Sequence, residues 1–209
     1  MSSVTENSYA VPGLRTKLTN LFFPAQEKVN VLFFAGRCVV FALIFIAGIR
    51  LMINLPSSEL AGHSFFHNIS IPFHEAGHIF FSILGDFMKT LGGSIMQVLI
   101  PVVCLAAFLK KNDVFAASFA LWWAGQNFID MGPYMNDARA QELMLLGGVT
   151  GQDVPGYHDW NNILGQLGLL KLDHAIANTS HFFGSFLMIA ALFWCGIILY
   201  MQYKNLEKL

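Results

Sequence analysis

The sequence predicts an all-α fold, a polytopic membrane helical bundle with four to five membrane segments. Of its 209 residues 55% are apolar and only 12% are charged, and the mean hydropathy is +0.54, well above what a soluble domain of this length needs. Several apolar runs approach the roughly 20 helical residues that cover a hydrocarbon core about 30 Å thick. The few basic residues stand at the ends of those runs and form no patch, so they read as topology signals. With a net charge of -1, nothing points to a nucleic-acid partner.

Taken in order, residues 1–30 are a polar, mixed segment. The run 31–55 is too long, and starts too far into the chain, for a cleaved signal, so it reads as a retained span; Arg37 and Arg50 near its ends can snorkel. The runs 71–87 and 94–109 are short, and the second holds Pro101, a tolerable kink inside a bundle. The run 114–131 carries Trp122 and Trp123 in its middle. Residues 31–131 are thus a block of membrane helices. Residues 132–180, rich in Gly, Asp and Asn, are too polar to cross a bilayer. Within them Trp160, Ile163, Leu164 and Leu167 recur at i, i+3, i+4 and i+7, the pattern of a short amphipathic helix on the membrane surface. The final segment, 181–209, supplies a last membrane helix over 181–203, followed by Lys204 and Lys208. Cys38, Cys104 and Cys195 each lie in an apolar run without CxxC spacing, which excludes a disulfide framework or a zinc knuckle.

Lys and Arg bias places loops on the cytoplasmic side. By that rule the N-terminus, the turn at Lys110 and Lys111 and the C-terminus are all cytoplasmic, whereas 54–71 has no Lys or Arg. Five full crossings would put the termini on opposite sides, so the favoured reading makes the segment near 71–87 re-entrant. The expected setting is an integral, multi-pass protein of a bacterial inner membrane.

Inside one of these apolar runs lies ISIPFHEAGHIFFSIL, residues 69–84. Ionisable groups in such a stretch need a partner, a cavity or a metal. His74, Glu75 and His78 spell H-E-x-x-H. On a helix, i and i+4 share a face, so both imidazoles can bind one Zn²⁺ while Glu75 serves as general base. The alternative is a pair of neutral histidines bonded to neighbouring helices, with Glu75 paired to Arg50 or Lys89. That alternative leaves a carboxylate in an apolar helix at a cost of about 2.5 kcal/mol or more near the bilayer centre.

A catalytic zinc takes three protein ligands and keeps one position open. The stretch FHEAGHIFFSILG resembles the first signature of the M50, or site-2-protease-like, membrane zinc metallopeptidases, in which H-E-x-x-H sits in a membrane helix. A later signature of that family carries the aspartate that completes the zinc site. Its nearest counterpart here is NFIDMGPYMNDAR, where Asn127, Pro133 and Asp137 stand in for the family's Asn, Pro and Asp with altered spacing, and Ala138 replaces its glycine. The resemblance thus implies His74, His78 and Asp137 as metal ligands and Glu75 as the catalytic residue. Asp159 and Asp130 are the next candidates; Asp137 and Asp159 each also suit a helix N-cap. Asn127, Asn136 and His158 are candidate oxyanion donors, and Pro72, Gly85, Gly92 and Gly93 candidate breaks that admit water. His63, His67, His174 and His181 read as interfacial.

The function expected on these grounds is hydrolysis of a peptide bond in a membrane-protein or peptide substrate, at a membrane or juxtamembrane segment. Two other readings stand beside it. One is a zinc-dependent lipid amide or ester hydrolase, and the other a non-catalytic metal-binding membrane protein.

Overall fold

In the computed structural model, residues 13–25, 28–58, 61–62 and 64–207 are described. His63, Lys208 and residues 1–12, 26 and 27 of the polar N-terminal segment lie outside them. The described chain is helical, and its one β-type contact is an isolated bridge between Val29 and Leu206. The helices are α1 (Leu14–Phe22), α2 (Val31–Met52), α3 (Phe65–Phe81), α4 (Asp86–Lys110), α5 (Val114–Asp130), α6 (Gly132–Asn136), α7 (Asp159–Gln166) and α8 (Asp173–Lys204). Three are long and apolar enough to cross a membrane: α2, α4 and α8, the last counted together with the short turn before it.

The boundaries differ from the sequence reading in instructive ways. The motif helix starts at Phe65, because the Ser64 hydroxyl caps the His67 amide at 3.1 Å, and it carries Pro72 inside. Gly85, at φ 96°, makes the only sharp break there. By contrast Gly92 and Gly93, expected to loosen the chain, lie within α4 as close-packing positions. A Cβ at Gly92 would come within 2.6 Å of the Gly77 carbonyl and of Phe81, so small residues here let two backbones touch. The pair α3 and α4 is therefore a tight antiparallel hairpin.

The core has three parts. In the middle, Trp122 and Met188, both fully buried, pack with Ile44 and Leu51 of α2. At one end Val114, Trp194 and Ile198 gather with Phe22, Phe108 and Leu109. The Trp194 indole donates to the Phe22 carbonyl at 2.9 Å, and Val29 exchanges backbone bonds of 3.1 Å with Asn205 and Glu207. Both described ends of the chain and the 111–113 turn thus share this end, which holds Lys28, Lys110, Lys111 and Lys204. At the opposite end α6, α7 and the first turns of α8 cluster around Met131, Trp160 and Ile163.

Helix α2 finishes at that opposite end, where Leu51 lines a small cavity with Ile129, Pro133 and His181. Helix α3 then begins against the second half of α5, with Phe66 on Trp122 at 4.7 Å, and rises to the same end. Residues 53–85 therefore leave and return to one end of the bundle.

The polar segment does not lie apart from the helices. Trp160, Ile163 and Leu164 of α7 are buried against α6 and α8 residues, not laid on a membrane surface, and only Leu167 is exposed. No helix begins at Ala138; the chain turns there. The last helix starts at Asp173, eight residues before the apolar run expected from sequence.

Candidate metal centre

Helix α3 carries His74 and His78 on one face, and their rings meet edge to face at 4.8 Å. Each is tied back through Nδ1. His78 Nδ1 bonds the Lys89 carbonyl at 2.8 Å, and His74 Nδ1 bonds Gln97 Oε1 at 3.2 Å. A carbonyl oxygen can only accept, so both Nδ1 atoms carry the proton and both Nε2 atoms point to a common space. Gly93 of α4 floors that space: a Cβ there would lie 2.7 Å from each Nε2.

The carboxylate that meets the imidazoles is Asp159. Its Oδ2 lies 3.2 Å from His74 Nε2 and 3.3 Å from His78 Nε2, and His74, His78 and Asp159 form a group able to hold a metal ion. Asp137, the ligand expected from sequence, is engaged elsewhere. Its two oxygens accept the Glu142 and Leu143 amides at 3.0 and 2.9 Å, and its Oδ2 faces His158 Nε2 at 3.3 Å. It therefore organises the loop after α6. Asp130, the other candidate, sits behind the site, where its Oδ2 bonds His67 at 2.9 Å and the Gln97 amide at 2.8 Å.

Asp159 is free for this position because its neighbour does the capping. His158 Nδ1 accepts the Asn161 amide at 3.1 Å at the start of α7, leaving Asp159 in the first turn with its carboxylate unspent. Burial disfavours the charge on Asp159, yet Nε2–H bonds from His74 and His78, present when those rings carry a second proton, outweigh it and hold the carboxyl below the usual carboxylate range. For His158, burial dominates and pushes the imidazole below its ordinary value, against the pull of Asp137.

Glu75, one residue on from His74, is exposed. It has no ion pair with Arg50 or Lys89 among the described residues, so the paired-glutamate alternative lacks its partner. Tyr134, which the sequence reading did not single out, lies beside the site. Its hydroxyl accepts the Asp159 amide at 2.8 Å, and its ring rests on His158 at 4.3 Å. Burial, with the charges of Asp159 and Glu75 behind it, pushes the phenol far above its ordinary value, so it stays a neutral donor. Of the expected oxyanion donors, Asn127 is fully engaged, accepting from Ser70 at 2.7 Å and donating to the Trp123 carbonyl at 3.2 Å, and His158 is buried as a cap.

No family model, curated protein or solved structure matches this chain.

Proposed function

We propose that the protein is a membrane-embedded zinc metallopeptidase that hydrolyses a peptide bond in a membrane or juxtamembrane segment, in the manner of the site-2-protease-like enzymes its motif resembles. The observation that carries this reading is the approach of one carboxylate oxygen to two Nε2 atoms at the separation that neighbouring ligands of a tetrahedral ion show. Zinc bonds of about 2.0–2.1 Å set tetrahedrally separate neighbouring ligand atoms by about 3.3–3.4 Å, and the separations from Asp159 are 3.2 and 3.3 Å. Two imidazoles tied back through Nδ1, with one carboxylate, are the donor chemistry zinc prefers when one position is left open.

Held by His74, His78 and Asp159, zinc would supply a water of pKa lowered toward about 7 and a Lewis acid for a carbonyl oxygen. Glu75, exposed and without an ion pair among the described residues, would take the proton from the attacking water and pass it to the leaving amine. Tyr134 supplies a neutral O–H on the Asp159 side of the site to steady the oxyanion. Gly93 keeps the floor of the site clear.

In this reading α2, α4, α5 and α8 cross the membrane and α3 is re-entrant, giving five membrane segments. At 17 residues α5 is about 25 Å long, close to the hydrocarbon thickness. The lysine-bearing end then faces the cytoplasm of a bacterial cell by the positive-inside bias. The metal site, at the other end beneath α6 and α7, receives substrate from the outer side of the inner membrane.

The test is metal content and turnover of purified protein. Zinc is expected at one per chain in wild type and in Glu75→Gln, and only wild type should cut the membrane proteins that accumulate uncut in cells lacking the gene. Accumulation of a lipid amide or ester in those cells, with no uncut protein, would move the assignment to lipid hydrolysis. A Glu75→Gln protein that fully replaces wild type in cells would leave a non-catalytic metal-binding protein.

A further inference from the structure

We infer that Asp130 and Gln97 are positioning residues that lock His74 in the tautomer able to bind the ion; the inference rests on the metal site proposed above. A glutamine side chain has two ends of opposite sense, a carbonyl that accepts and an amide nitrogen that donates. Asp130 Oδ2 accepts from Gln97 Nε2 at 2.8 Å, and that contact keeps the nitrogen end facing Asp130. The carbonyl end then faces His74 Nδ1 at 3.2 Å and requires a proton there. The lone pair is left on His74 Nε2, the atom aimed at Asp159.

Turned round, the same amide would offer N–H to His74 Nδ1 and favour the other tautomer, whose proton blocks Nε2. Among the described residues no other hydrogen bond holds the amide against that turn. Gln97 and Asp130 are both buried, at 5% exposure each, so water does not average the two orientations. The carboxylate is itself pinned from the far side by His67 Nδ1 at 2.9 Å on the same oxygen. His78 needs no such control, because the backbone carbonyl of Lys89 that holds its Nδ1 has no donor end to present. Asp130 thus acts through two intervening residues, Gln97 and His74, by way of an amide that it orients.

The experiment compares zinc affinity, by chelator competition in detergent, in wild type, Asp130→Leu, Gln97→Glu and the double variant. Removing an outer partner of a metal-binding histidine weakens binding about 10- to 100-fold, which is the loss expected for Asp130→Leu. A carboxyl group accepts through either oxygen, so Gln97→Glu needs no orienting partner: alone, sharing a proton with Asp130, and in the double variant, it should bind within about threefold of wild type. A role for Asp130 in packing alone predicts no such rescue. Unchanged affinity in Asp130→Leu, or a double variant as weak as Asp130→Leu, overturns the inference, whereas a wild type that binds no zinc overturns the metal reading instead. If Asp130→Leu does not fold, nitrogen NMR of metal-free Asp159→Ala at alkaline pH, with the carboxylate that faces Nε2 removed, decides the same point. Protonated Nδ1 on His74 supports the inference and protonated Nε2 overturns it.

Discussion

Replacing Gly93 with alanine separates the metal site from the stability of the helix that floors it. The new Cβ would sit 2.7 Å from His74 Nε2, 2.7 Å from His78 Nε2 and 2.8 Å from His74 Cε1, where ordinary contact starts near 3.4 Å. Both rings must turn aside to bind an ion. A side chain about 30° off its rotamer costs about 0.5–1.5 kcal/mol, so two rings together cost about 1–3 kcal/mol. At about 1.4 kcal/mol per decade, that is a loss of roughly 5- to 150-fold in zinc affinity. Without the ion the rings can swing away, giving up their Nδ1 bonds to the Lys89 carbonyl and Gln97, about 1 kcal/mol each. The helix preference of Ala over Gly, about 0.8–1.0 kcal/mol in a helix interior, offsets part of that loss. The metal-free variant should therefore unfold in detergent within a few degrees of wild type, while its zinc dissociation constant rises at least fivefold. A Gly93→Ala protein that binds zinc as tightly as wild type would refute the placement of the ion against α4.

Further outcomes follow from neighbouring residues. Asp159→Ala should lose zinc from the purified protein, whereas Asp137→Ala should keep it within about threefold and instead raise hydrogen exchange at the Glu142 and Leu143 amides; the reverse pattern in mass spectrometry would restore Asp137 as the ligand. Tyr134→Phe should retain zinc and substrate KM but cut kcat about 10- to 1000-fold, as loss of one oxyanion donor does, and an unchanged kcat would remove Tyr134 from the chemistry. The His158 imidazole is held below its ordinary value in the fold, so the unfolded chain takes up that proton first as pH falls. Stability of the α7 region, read by hydrogen exchange, should be full above about pH 6.5 and decline below it until the folded imidazole also titrates. His158→Asn, which keeps a capping acceptor, should flatten that decline.

How far the site was legible depends on how far apart its parts lie in the chain. His74 and His78 were readable because their meeting is a property of one helix, fixed by the i and i+4 spacing. The third partner was not, since it comes from 85 residues beyond His74, and Asp137 and Asp159 both sit in polar segments at plausible helix starts. What separates them is where their oxygens are already committed: two loop amides claim Asp137, while His158 takes the capping duty that would otherwise occupy Asp159. The one local hint was the His immediately before Asp159. Gln97 carries no mark in the sequence beyond being polar in an apolar run, and its contact with His74 needs the approach of α3 to α4 that the Gly77 and Gly92 pair permits.

The helical class and the amphipathic face of α7 were equally plain from periodicity, which reports that a face is buried but not against what. Lipid and protein look alike to that pattern, and here Trp160, Ile163 and Leu164 face protein. That both described ends of the chain and the 111–113 turn share one end of the bundle was foreshadowed by the basic residues alone. The contacts of Phe22 with Trp194 and of Val29 with Leu206 gather at one end the three clusters that the charge rule had assigned to one side.

Because Asp159 reaches the histidines from a helix outside the α3–α4 hairpin, an ion in their midst is a clasp between two bodies. Any molecule that grips the outer surface of α7 and lifts it by a few ångströms would unfasten the centre without touching it, and one that presses α7 down would tighten it. An ion held in this way answers to the seating of α7 as much as to its own ligands.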